Sequence, residues 1–198
     1  MRRRTFDAIA TAAGLAIAIV MVIAGVLLTW GHSFVTNEVH NQLVAQKIVF
    51  PPAKSAAITS LPKADAAAMS KYAGQQMTTG AQAETWADHF IAVHLREIGG
   101  GQTYAQLSGK ALTQPKNIAL QNQVATVFRG ETLRGLLLNA YGFWKMGQIM
   151  LIAAWVAFVA AAVMLLLSVF GFVHLFRVAP EAEVMPKLAK KGVKVQTA

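Results

Sequence analysis

Two long stretches of this chain contain no charged side chain, and they constrain the fold more than anything else in it. Between Asp7 and His32 every residue is uncharged, and the apolar block runs from about Ala8 to Trp30. A second block runs from about Met146 to Phe176, with no charge between Gly147 and Val173. An α-helix rises 1.5 Å per residue, so about 20 apolar residues cross a hydrocarbon core of roughly 30 Å. Each block is long enough, with length left over for tilt. A chain of 198 residues offers no soluble core in which to hide two such helices. The expected fold is therefore all-α. Two transmembrane helices, residues 8–30 and 146–176, form a helical hairpin, with an extracytoplasmic helical bundle, residues 31–145, inserted between them.

A cleaved secretory signal is the competing reading of the first block. Arg2, Arg3 and Arg4 supply the basic start. A signal core is about 7–15 residues long, however, and this block is longer. Thr29-Trp30-Gly31-His32 offers no small-x-small cleavage site. Aromatic rings flank both blocks where a membrane interface would lie: Trp30 after the first, and Tyr141, Phe143 and Trp144 before the second. Amphipathic rings favour that level, and Lys145 can extend its ammonium into the same layer.

Charge supplies orientation. The formal net charge is +9. Arg2, Arg3 and Arg4 precede the first block, and Arg177, Lys187, Lys190, Lys191 and Lys194 follow the second. Short positive flanks stay on the cytoplasmic side. Both termini are therefore expected in the cytoplasm: a short tail, residues 1–7, and a basic tail, residues 177–198, of a plasma-membrane protein. In the middle segment Lys and Arg are dispersed among Asp and Glu, with no basic stripe interleaved with aromatics, so no nucleic-acid face is read. The chain has no cysteine, which excludes disulfides, thiolate metal sites, iron–sulfur clusters and a cysteine nucleophile.

Small residues fall on one helical face in both blocks, at spacings of four or eight: Ala8, Ala12, Ala16 and Ala24 in the first, Ala153, Ala157 and Ala161 in the second. Such spacing lets helix backbones approach closely in lipid. It suits either a hairpin or a homo-oligomer packed through these seams; an alanine-rich chain also produces it by chance. Neither span holds an interior ionisable residue, which argues against a proton relay or an ion pathway within a single copy.

The middle segment reads as helices separated by breaks. Apolar residues from Phe34 to Phe50 follow helical spacing, so the first span should continue outward until Pro51-Pro52 stops it. Residues 53–63 read as a loop and Ala64 to Met77 as a helix, with a break at Thr78-Thr79-Gly80. Ala81 to Ile98 forms a helix with Trp86, Phe90 and Val93 on one face, ended by Gly99-Gly100-Gly101. Tyr104 to Leu112 is a short helix broken at Gln114-Pro115. A last helix starts near Lys116 and runs into the second span. No long alternating β-branched stretch occurs, so no sheet is expected.

Candidate chemistry is sparse. Glu84, Asp88, His89, His94 and Glu97 form the densest polar cluster, but His89 and His94 stand five apart, about 140° from each other on a helix. A solvated face explains them better than a metal site. His32 and His40 read as surface histidines. Gly130 and Gly135 each cost a helix about 1 kcal/mol relative to alanine, which points to close packing or a bend there. The stretch from Phe128 to Asn139 carries Arg129, Glu131 and Arg134 just before the aromatic belt. Arg129, Glu131, Arg134, Tyr141 and Trp144 are the expected partner or lipid contacts, and Ala12, Ala16, Ala153, Ala157 and Ala161 the expected helix-packing seam. No nucleophile elbow, zincin or phosphate-loop pattern occurs, so no catalytic residue, metal or cofactor is expected.

On Gln42 to Pro52 (QLVAQKIVFPP) and Gly130 to Trp144 (GETLRGLLLNAYGFW), the chain resembles a group of actinobacterial two-span membrane proteins of no established activity. The resemblance covers nearly the whole chain and implies the two-span layout; it brings no activity or site residue with it. The expected function is a non-enzymatic scaffold, accessory subunit or partner-binding module of the cell envelope. The expected partners are the lipid bilayer and another membrane protein or a second copy of the chain. The alternative is a sensor whose outer domain signals through another protein, since the tail from Arg177 to Ala198 is too short for an output domain.

Overall fold

A computed structural model describes residues 3–177 and 179. Arg2, Lys187, Lys190, Lys191 and Lys194, on which part of the charge argument rests, lie outside the described residues. The described chain is helical, with no strand. Its elements are α1 (Arg3–Ala45), α2 (Ala56–Thr59), α3 (Lys63–Ser70), α4 (Gly80–Trp86), a π-helical turn (Ala87–Ile91), α5 (Ala92–Ile98), α6 (Tyr104–Thr113) and α7 (Ile118–Arg177). The described residues fall into two compact units, one of residues 29–152 and one of residues 3–28 with 153–177. Each of the two longest helices, α1 and α7, takes part in both.

In the unit of residues 29–152, a hydrophobic core gathers Val39 and Leu43 of α1, Phe50, Ile58, Met69, Met77, Ala83, Ala87, Val93 and Leu137. Phe50 is its aromatic centre. Its ring lies 5.0 Å from Trp86, edge-on, and 5.4 Å from Tyr72. This explains why α1 stops at Ala45 rather than running to Phe50. Lys47 takes a left-handed conformation (φ 55°), which turns the chain out of the helix. Ile48 to Phe50 then pair with Gln75 to Met77: the Met77 N–H donates to the Ile48 carbonyl at 2.8 Å, and the Phe50 N–H to the Gln75 carbonyl at 2.9 Å. Residues 75–77 are thereby removed from the helix expected over Ala64 to Met77, and α3 ends at Ser70. Inside the expected loop, α2 forms and buries Ile58.

The other helix limits follow local chemistry. Thr79 caps α4 in a capping box with Gln82, and Thr103 caps α6 in the same way with Gln106. The Leu120 N–H donates to the Asn117 side-chain oxygen at 3.1 Å, which satisfies a free donor at the start of α7. His32 ties the two long helices together, its Nδ1 donating to the Gly147 carbonyl at 2.8 Å.

In the other unit, α1 and α7 each carry a stretch long and apolar enough to cross a membrane, and only 17% of each stretch is buried within the protein. A core helix of a soluble protein would be mostly buried. Instead Val20, Leu27, Trp155 and Phe170 are more than 60% exposed, an apolar surface that water disfavours and hydrocarbon does not. The two helices meet through small residues. Gly14, Ala18 and Gly25 are buried on α1, and Ala154, Ala157, Ala161 and Ser168 on α7. Gly25 lies against the Phe158 ring and Gly14 against the Ser168 hydroxyl, so close that a Cβ there would stand 2.7 and 2.6 Å from them. Ala153 is half-buried, whereas Ala12 and Ala16 are exposed.

Candidate functional site

In the unit of residues 29–152, α1 and α7 carry more apolar residues than their core-facing sides need. On α7 Leu137 is buried, while Leu133, Leu136 and Phe143 are 58%, 60% and 57% exposed. On α1 Val39 and Leu43 are buried, and Phe34 is exposed beside them. These residues line an open apolar groove of about 620 Å³, completed by Ala140, Trp86 and Ile91.

The two sides of the groove differ. Glu38 and Gln42 of α1, with Gln46 just past its end, recur every fourth residue and form a polar row. The Gln42 side-chain amide donates to the Glu38 carboxylate at 2.6 Å. On α7 the lining is Leu133, Leu136 and Phe143, with Asn139 the polar exception. Phe34 stacks on Trp30 at 5.7 Å between ring centroids. One end of the groove thus adjoins Trp30, and Phe143 stands next to Trp144. An apolar cavity with a few amides and one carboxylate binds an apolar body by area and orients it by hydrogen bonds.

The wall that carries Trp86 is pinned to α7 by three successive contacts. Gly80 lies directly under the Trp144 ring, where a Cβ would collide with that side chain. Four residues on, Glu84 faces Tyr141. Its negative charge, then burial, then their hydrogen bond raise the phenol above its ordinary 10.0. In the π turn Asp88 accepts from Arg134 at 2.8 Å, with Glu131 3.5 Å away on the other side of the guanidinium. The hydrogen bond to Asp88 is the largest influence holding the guanidinium's pKa above its ordinary value. A π turn adds a residue to the helical repeat, and here it occupies Ala87–Ile91, the residues that bring Asp88 to Arg134 and Ile91 to the groove.

The polar side chains singled out in the sequence thus go to separate places. Tyr141 meets Glu84, Arg134 and Glu131 meet across one turn with Asp88, and Trp144 covers Gly80. Arg129 is exposed. His89 pairs with Asp65 at 2.7 Å, and His94 donates to the Phe90 carbonyl at 2.7 Å. His40 donates to the Thr78 carbonyl at 3.2 Å. Among the described residues no three His, Asp or Glu converge on one point. Gly130 packs tightly on Leu95, while Gly135 has open space around it.

The groove itself was not read from the sequence. Its one sequence signal is the run Leu133, Leu136, Leu137, Leu138, which covers more of the helix circumference than a single core-facing stripe needs. No protein-family model matches the chain, and no curated protein or solved structure matches it either.

Proposed function

We propose that the protein is a non-enzymatic, two-span protein of the plasma membrane whose middle segment, residues 31–145, lies outside the cytoplasm and serves as a binding module. The observation that carries this reading is the groove: Leu133, Leu136 and Phe143 are each more than half exposed beside a well-filled core. A contiguous apolar surface rimmed by polar groups marks a site of interaction. The length and exposure of the apolar stretches support the two spans. The clusters at Arg2–Arg4 and in the basic tail support cytoplasmic termini. In this arrangement α1 and α7 form a membrane hairpin and carry the helical bundle on its outer side. The exposed face bearing Ala12 and Ala16 offers a small-residue surface to a second copy.

The reading is tested in intact cells with cysteines placed one at a time, the native chain having none. Cysteines at Lys54 and Lys110, both exposed, should react with a membrane-impermeant maleimide, and one at Thr5 should not. Reaction at Thr5 alone would invert the topology. A photo-crosslinking residue at Leu136 should then give a discrete adduct that the same residue at Lys110 does not. Equal adducts at both positions would remove the groove as the binding surface.

A further inference from the structure

The geometry points to an acyl chain of a bilayer lipid as the occupant of the groove, an assignment that rests on the two-span binding-module reading. Four observations carry it. The groove is a slot: Phe34 to Leu43 on α1 and Leu133 to Phe143 on α7 give it a length of roughly 15 Å at 1.5 Å per residue. Its volume, about 620 Å³, suits a slender body. Its lining contains one carboxylate, Glu38, and no Lys or Arg. A phosphate or a free fatty-acid carboxylate inside would meet only a like charge. A charged head therefore stays outside and the chain alone enters. Finally, the groove adjoins the ring of Trp30 through Phe34, and Phe143 neighbours Trp144. Such rings sit at the headgroup level of a bilayer, so the apolar material adjoining the groove is lipid.

Trp86 is a built-in reporter, because it lines the groove. It lies between Glu84 and Asp88, whose partners Tyr141 and Arg134 stand three and ten residues outward of Trp144, roughly 5–15 Å along α7. The headgroup layer on one side of a bilayer is only about 5–7 Å deep. An acyl chain that touches Trp86 has therefore left the bilayer. The full-length protein is placed in phosphatidylcholine vesicles with brominated or ordinary acyl chains, bromine being a contact quencher of tryptophan fluorescence. One variant keeps Trp86 alone (W30F, W144F, W155F). Another keeps Trp155 alone (W30F, W86F, W144F), the exposed ring in the apolar stretch of α7.

Brominated chains should quench both variants. The emission of Trp86 should fall roughly twofold or more, since a bound chain in an apolar slot touches the ring over much of its face. Ala140→Phe fills the groove and should restore Trp86 emission while leaving Trp155 quenched. Leu133→Asp, at an exposed position that does not stress the core, should do the same by charge. Quenching of Trp155 without Trp86 would overturn the lipid assignment and leave the two spans standing. Quenching of Trp86 that neither groove variant relieves would also overturn it, because the quencher would then be reaching the ring from elsewhere. Quenching of neither would remove the two-span reading and the proposal together.

Discussion

Trp144 can lie against the start of α4 only because residue 80 is glycine. A methyl group at that position would collide with the Cβ of the indole side chain, in a place where both neighbours belong to helices. Gly80→Ala should therefore destabilise the domain by about 1–3 kcal/mol, the usual cost of overfilling a packed site. Gly135→Ala is the internal control. Nothing surrounds that position, and alanine there should be neutral or raise stability by up to about 1 kcal/mol. Chemical denaturation of the two variants side by side checks both signs. Tyr141 carries a pH signature. The Glu84 charge raises its phenol above the ordinary 10.0, so the folded state holds this proton more tightly than the unfolded chain does. That contribution is complete below pH 10 and is lost as pH rises through the raised value. In Tyr141→Phe the term is absent, so stability should fall less steeply above pH 10 than in the parent. An identical alkaline slope in the two proteins would remove Glu84 as the cause.

At the scale of elements, the start of α4 depends on a reciprocal pair. Gln82 is 5% exposed, and its side-chain oxygen accepts from the backbone N–H groups of Thr78 and Thr79 at 2.7 and 3.0 Å. The Thr79 hydroxyl accepts in return from the Gln82 N–H at 3.3 Å. Thr79→Ala should cost about 1 kcal/mol and fray α4, the helix that carries Trp86 into the groove, as an increase in amide exchange over Gly80–Trp86 would record. This junction was legible only as a break, because Thr-Thr-Gly punctuates the pattern without saying which threonine caps. The limits at Gly99 and Pro115 were plain, since glycine and proline act locally. The end of α1 was not. Ile48, Val49 and Phe50 continue the helical spacing, yet Phe50 leaves the helix to reach Trp86 and Tyr72 in the core, a tertiary gain that no local pattern announces. The π turn has no compositional mark. The packing face of α1 shows the same limit. Small residues stand at Ala12 and Ala16 as well as at Gly14, Ala18 and Gly25, and only the side chains opposite, Phe158 and Ser168, decide which set is buried. The groove was least legible of all, because it is defined by what packing leaves uncovered.

On the scale of the molecule, the two units bury different kinds of contact, and this yields a separable prediction. The buried core of the larger unit lies within residues 39–137, and its largest fully buried side chains, Phe50, Ile58, Met69 and Met77, come from segments between α1 and α4. Nothing in that core is borrowed from the apolar stretches. A chain of residues 29–152 should therefore fold by itself and unfold in urea as one cooperative helical transition. Phe50→Ala removes the ring shared by Trp86 and Tyr72 and should cost about 3–5 kcal/mol, as deletion of a buried aromatic does. Against a total of about 5–15 kcal/mol for a small domain, that is a large share of the fragment's stability, and its urea midpoint should fall accordingly. A fragment that melts gradually, with Phe50→Ala making no difference, would mean that the core does not hold without the apolar stretches. The groove would then owe its shape to the spans rather than to the bundle around Phe50.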